Sequence, residues 1–166
     1  MARAWLSLGS NQAPERHLAA ALDELANAFG PLQVSPAYRS AAVGFEGPAF
    51  VNLAVGLDTT LDPVALDAWL HALEDRHGRR RDVPRFSSRT LDVDLVLYDD
   101  VVMRGPGNLE LPRADLVEQA FVLRPMADLV PDLVHPVLGR RLIDLWRDYQ
   151  GPCDLQPIDL GALAKS

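Results

Sequence analysis

Cysteine and lysine are almost missing from this 166-residue chain, which holds one of each, Cys153 and Lys165. A lone cysteine excludes a disulfide within the chain. With no lysine available for a strand, the protein-kinase arrangement is excluded, and no Gly-x-x-x-x-Gly-Lys-Ser/Thr loop is present to cradle phosphates. Apolar runs stay far below the ~20 residues that a membrane span needs. The opening MARAWLSLGSNQ turns polar too early for a secretory signal. A cytoplasmic protein with no membrane contact is therefore expected. Positive charge is also in deficit: 16 Lys and Arg against 23 Asp and Glu leave a net charge of −7, the wrong sign for a nucleic-acid footprint. The histidines lack zinc-like spacing, and Ser10 stands in Gly-Ser-Asn rather than in the Gly-x-Ser-x-Gly of a hydrolase elbow.

What is present suits one compact domain. With 48% hydrophobic residues, residues 1–166 have enough apolar surface for a single core, expected over about 2–150 with an irregular tail at 151–166. RAWLSLGSN reads as a strand that stops at Gly9, Ser10 and Asn11. From Pro14 to Phe29, Leu18, Ala21, Leu22, Leu25, Ala28 and Phe29 keep helical spacing, closed by Gly30-Pro31. LQVSPAYRS and FVNLAVGLDT are β-prone segments joined by the loop AAVGFEGPA, long for a hairpin and so a candidate binding loop. A second helix starts at Asp62-Pro63, with Leu66, Trp69, Leu70 and Leu73 as its apolar stripe and Gly78 as its stop. TLDVDLVLY is the next strand, LELP a short edge segment, and ADLVEQAFVLRPMADLV, with helical spacing in Leu116, Ala120, Phe121 and Leu123, a helix that Pro125 should kink or restart. A last short helix is expected at Leu142 to Tyr149. The order β-α-β-β-α-β predicts an α+β fold of ferredoxin-like type, an antiparallel sheet with helices on one face and extra C-terminal helices.

The strongest anomaly is GRRRDVPRFSSRTLDVDL. Asp92 and Asp94 lie two apart on a strand, about 7 Å from each other on one face. At an effective dielectric of ~20 they repel by about 2 kcal/mol. Just before them, Arg76, Arg79, Arg80, Arg81, Arg85 and Arg89 place six of the sixteen basic residues in fourteen positions. Carboxylate oxygens suit Mg²⁺, which keeps water and substrate phosphates in its shell, and guanidinium forks grip phosphate oxygens. Together they describe a polyphosphate site. The same residues also fit acids facing solvent, or acids and arginines neutralising one another. Asn52 is the second anomaly. Within a strand that otherwise reads as apolar, its donor and acceptor can address a flat heterocycle, with Phe50 on the same face to stack; an Asn bonded to neighbouring backbone is the alternative.

These segments resemble the 6-hydroxymethyl-7,8-dihydropterin pyrophosphokinases of folate biosynthesis. RTLDVDLVLY is similar to the family signature, and LSLGSN, YRSAAVG, FVNLAV and LPRADLVEQAFVLRPMADLVPDLVHP follow in the family's order, so the likeness covers roughly Ala4 to Leu145. It implies transfer of pyrophosphate from the co-substrate ATP to the hydroxymethyl oxygen of a reduced pterin, releasing AMP, with two Mg²⁺ ions held by Asp92 and Asp94. The catalytic group it implies is Arg79, Arg89, Asp92 and Asp94. ATP would meet His71, Glu74, Arg79, Arg81, Arg85, Arg89, Leu95 and Arg113. The pterin would meet Ser40, Ala41, Val43, Gly44, Phe50, Asn52, Phe86, Asp92 and Phe121. A monomer is expected. The chain departs from the family at Phe86-Ser87-Ser88, where Trp-Gly-Pro is common, at Arg113, where His is frequent, and at Gln119, where Arg is frequent. Those departures raise two other readings, a paralogue acting on a different pterin alcohol and a non-catalytic nucleotide or pterin sensor.

Overall fold

The computed structural model describes residues 1–41, 48–78 and 90–159. Arg79, Arg81, Arg85, Phe86 and Arg89 lie outside the described residues, as do Val43 and Gly44.

The centre of the fold is an antiparallel sheet. Strand β1 (Ala2–Ser10) lies between β4 (Phe50–Thr59) and β5 (Asp92–Tyr98); β2 (Gln33–Val34) and β3 (Ala37–Ser40) both pair with β4, and β8 (Gln156–Ile158) pairs with β3. The strand order is β5-β1-β4-β3-β8, so β5 forms one edge. A separate two-stranded ribbon joins β6 (Met103–Arg104) to β7 (Glu110–Leu111).

Helices cover both faces, which corrects the expectation of one. Helix α1 (Pro14–Phe29) and helix α2 (Pro63–Arg76) bury Leu18, Ala21, Leu25, Leu66, Leu70 and Leu73 against Leu6, Leu8, Leu53, Val55, Val93 and Leu95. Each such leucine withdrawn from water contributes about 1.5–3 kcal/mol before entropy is counted. On the opposite face, α3 (Asp115–Glu118), α4 (Ala120–Leu129) and α5 (Leu142–Arg147) pack Leu116, Leu123, Met126 and Leu142 with Trp5, Ala54, Val96 and Leu97. Strand alternation decides this division: with helices on both sides, β4 is buried on both of its faces from Val51 to Leu57. Trp5 fits because its partner across the sheet is Gly56, where a side chain would meet the indole at 2.2 Å.

The helix ends follow the sequence. Asp62 caps α2 by accepting the Ala65 N–H at 2.8 Å, and Gly78, at φ 82°, follows the helix end at His77. Four expectations need correction. Strand β1 continues to Ser10, because Gly9 is paired on both sides. The break in the later helix comes at Gln119, extended at φ −123° and ψ 123°, and Pro125 lies inside α4. Helix α5 stops at Arg147. The tail supplies β8, paired through Ala37 to Arg39. No described helix is long and apolar enough to cross a membrane.

Candidate active site

A bulge in β5 sets the geometry. Trp5 pairs with Leu97 but Leu6 pairs with Leu95, so Val96 is the extra residue. Bulges re-aim side chains. Before this one, Val93 and Leu95 point into the α1/α2 core; after it, Val96 and Leu97 point to α4. Strand alternation alone puts Asp92 and Asp94, like Val96, on the α4 side of the sheet, beside their partners on β1, Gly9 and Ser7. Gly9 also faces Asn52, and Asn52 faces Tyr38. One rung thus runs Asp92, Gly9, Asn52, Tyr38. With strands ~4.8 Å apart, the Asp92 and Asn52 backbones stand about 10 Å from each other. Phe50, two residues before Asn52, shares that face and pairs with Ser40, with Ala41 exposed beyond it. Phe121 joins from α4, partly buried against the same apolar cluster.

The bulge also hooks Arg113. Its N–H donates to the Val96 carbonyl at 3.0 Å, bringing the guanidinium Nε to 3.7 Å from Asp94 Oδ2 and 3.3 Å from Asp115 Oδ2. Burial disfavours the Arg113 charge, but the carboxylates of Asp94, Asp115 and Asp92 outweigh it and raise its pKa above the ordinary arginine value. A cation is thus fixed beside the paired acids.

Asn52 is 6% exposed, and its Oδ1 has no hydrogen-bond partner among the described residues. A buried acceptor left in this state is costly, so it marks a place where a donor is missing.

Other expected residues sit elsewhere. Leu95 is buried in the α1/α2 core, so its side chain does not face the acids; its backbone lies on edge strand β5. Glu74 is 2% exposed and accepts the Val93 N–H at 2.8 Å, tying α2 to the residue between the two aspartates. His71 is exposed on α2, with Nε2 3.7 Å from Asp67.

Sequence reasoning missed Gly9, Ser7, Tyr38 and Asp115. Ser7 reads as strand filler and Gly9 as the strand's stop, and only the register places them beside the acids. Asn11, also missed, donates through Nδ2 to the Pro48 carbonyl at 3.1 Å, fixing one end of the β3–β4 connection to β1.

Asp92 and Asp94 offer oxygen donors only, on one rigid strand, each partly exposed. No group of three or more His, Cys, Asp or Glu able to hold a metal converges among the described residues. That donor set fits Mg²⁺, which takes one or two carboxylates and fills its shell with water and phosphate oxygens.

The family's sequence pattern, described as 7,8-dihydro-6-hydroxymethylpterin-pyrophosphokinase (HPPK), matches residues 5–131. The chain belongs to the HPPK family. Membership makes it an enzyme, a diphosphokinase. Among HPPK relatives, the 2-amino-4-hydroxy-6-hydroxymethyldihydropteridine pyrophosphokinase of Pseudomonas aeruginosa is 42% identical over 147 residues, 86% of this chain and 89% of that protein. The Synechocystis protein of the same name is 36% identical, over 84% of this chain and 72% of its own length. The Schizosaccharomyces pombe folic acid synthesis protein fol1 is 35% identical over 80% of this chain, but the match spans 18% of that longer protein. The crystal structure of wild-type Plasmodium falciparum HPPK-DHPS has the same fold at a TM-score of 0.68 and 13% identity; the likeness covers 89% of this chain and 44% of that chain.

Proposed function

We propose that this HPPK-family chain transfers pyrophosphate from ATP to the hydroxymethyl oxygen of 6-hydroxymethyl-7,8-dihydropterin, releasing AMP, as a cytoplasmic monomer. The observation that carries the reading is the single rung on which Asp92 and Asn52 face the same side across bare Gly9. Polyphosphate chemistry at one end of that rung and heterocycle recognition at the other are what joining these two substrates requires. The strand order with β2 and β3 taken as one interrupted strand supports a ferredoxin-like core.

The pterin lies over the rung. Asn52 supplies the unpaired Oδ1 to a ring N–H and its amide to a ring acceptor. Phe50 and Phe121 enclose the ring, and Ser40 and Ala41, with Val43, Gly44 and Phe86 assigned from sequence alone, complete its surroundings. The triphosphate approaches from the β5 side. Asp92 and Asp94 would hold the two Mg²⁺ ions, which when bound neutralise phosphate charge and polarise the phosphoryl oxygens. Arg113 turns its guanidinium to the phosphates, retained by Asp115 when Asp94 engages elsewhere. Arg79, Arg81, Arg85 and Arg89 are assigned to the nucleotide from sequence, and the adenine is read by the backbone at Leu95. Glu74 acts indirectly, holding Val93 and so the spacing of the two aspartates. His71 stands at the outer margin. No side chain needs to become covalently bonded; alignment and charge stabilisation supply the rate.

The test is incubation of the purified protein with Mg²⁺, ATP and the dihydropterin, following AMP, beside Asp94→Asn. We expect AMP in step with diphosphorylated pterin from the native chain, and loss of at least about a hundredfold in turnover in the variant at an unchanged urea midpoint. A native protein that binds ATP with Mg²⁺ but forms no AMP would point to another pterin alcohol or to a sensor. An Asp94→Asn variant of full activity would refute the metal assignment.

A further inference from the structure

Gly9 is paired with Asp92 on one side and Asn52 on the other, and its lack of a side chain is used. A Cβ at this position would stand 2.5 Å from Asn52 Nδ2, closer than the 3.0 Å at which real Cβ contacts begin. The carboxamide therefore leans over the bare backbone of β1, toward Asp92. It has no such room on its other side. There Tyr38 faces Asn52 across the sheet, 6% exposed, with its hydroxyl donating to Asp128 and accepting from Arg124 Nε at 3.2 Å. The ring is pinned to α4. Asn52 thus has a wall at Tyr38 and open space at Gly9, and in that pose its Oδ1 has no hydrogen-bond partner among the described residues.

We propose that Gly9 is a specificity-determining position for the heterocycle: by leaving the strand bare it lets the Asn52 carboxamide lie toward Asp92, so that one ring meets both groups. The inference rests on the pterin reading of this face. Gly9 acts through Asn52 and is a positioning residue. A methyl group at position 9 displaces the amide by about half an ångström or more, the scale at which a recognition constellation loses its fit. Substrates that need only the phosphate side of the rung are indifferent to it.

The experiment uses the full chain and calorimetric titration, with 6-hydroxymethyl-7,8-dihydropterin in one arm and ATP with Mg²⁺ in the other, for native protein, Gly9→Ala, Asn52→Ser and the double variant. Gly9→Ala should weaken the pterin roughly tenfold or more and leave the ATP Kd unchanged. Serine has no amide for the new methyl to meet. In the Asn52→Ser background Gly9→Ala should therefore leave ligand affinity unchanged and not lower Tm. If Gly9→Ala alone does not fold, recovery of folding in the double variant supports the proposal, and continued failure overturns it. Unchanged pterin affinity in a folded Gly9→Ala protein overturns it too, as does an ATP Kd that weakens equally. Failure of the underlying reading looks different: the native chain binds no pterin, or Asn52→Ser binds it as tightly as native.

Discussion

Glu74 joins two parts of the molecule through one carboxylate, and removing it has a calculable effect. Oε2 accepts the Val93 N–H at 2.8 Å in a position 2% exposed. A hydrogen bond to a charged group contributes about 1.5–3 kcal/mol, and truncation to alanine leaves the Val93 N–H without this acceptor. The lost methylene burial adds about 0.8 kcal/mol per carbon. Glu74→Ala should therefore destabilise by about 3 kcal/mol, a large share of a total that is typically ~5–15. Glu74→Gln keeps an acceptor of the same shape in a neutral bond roughly half as strong, and should lose about 1 kcal/mol. Urea unfolding followed by fluorescence reads both, with equal m-values required for the comparison. Because Val93 stands between Asp92 and Asp94, AMP formation should fall in the alanine variant and largely survive in the glutamine one. Two results would refute the reasoning: an alanine variant within about 0.5 kcal/mol of native, or a glutamine variant of native stability whose KM for ATP rises, which would make Glu74 a nucleotide contact.

Arg113→Ala removes the cation 3.7 Å from Asp94; the protein without nucleotide should then bind Mn²⁺ several-fold more tightly, read by its electron paramagnetic resonance, while ATP binds more weakly. Unchanged Mn²⁺ affinity would show that Arg113 does not compete at the acids. Tyr38→Phe deletes the hydroxyl shared with Asp128 and Arg124 and should lower stability by about 1–2 kcal/mol, measured by thermal unfolding. Stability should also fall on mild acidification. Burial holds the His135 pKa below its ordinary value, and burial with the neighbouring His77 and Arg16 does the same for His17. Below the unfolded value of about 6.5 the unfolded chain takes up protons that the folded one refuses. The stability is thus complete above that pH and is lost as pH falls through the folded values. His135 Nδ1 accepts the Val137 and Leu138 N–H groups at 3.2 and 3.0 Å, so its protonation opens that turn. A urea midpoint higher at about pH 5.5 than at about pH 7.5 would contradict this.

The sequence by itself determined the features that follow from local chemistry. Helix α1 matches its expected span of Pro14 to Phe29 because apolar spacing and the proline at its start are both local. Helix α2 starts at Pro63 because Asp62 caps it through its own side chain. Asp92 and Asp94 stood out because two like charges on one strand face conflict with the apolar pattern around them, and Asn52 stood out for the same reason.

Tertiary structure decided what depends on partners distant in the chain. Local pattern does not reveal that β5 carries a bulge, since the extra residue exists only relative to β1; yet that bulge turns Leu97 to the α4 side, and the Val96 carbonyl within it holds Arg113 beside the acids. Nor does local pattern reveal that Glu74 serves a backbone N–H nineteen residues away, that β8 adds to β3, or that helices cover both sheet faces. Gly9 is the clearest case. In sequence it reads as the end of a strand, because glycine has weak strand preference. In the folded sheet its missing side chain is the space that Asn52 occupies, and that space comes into being only when β1 lies between β4 and β5.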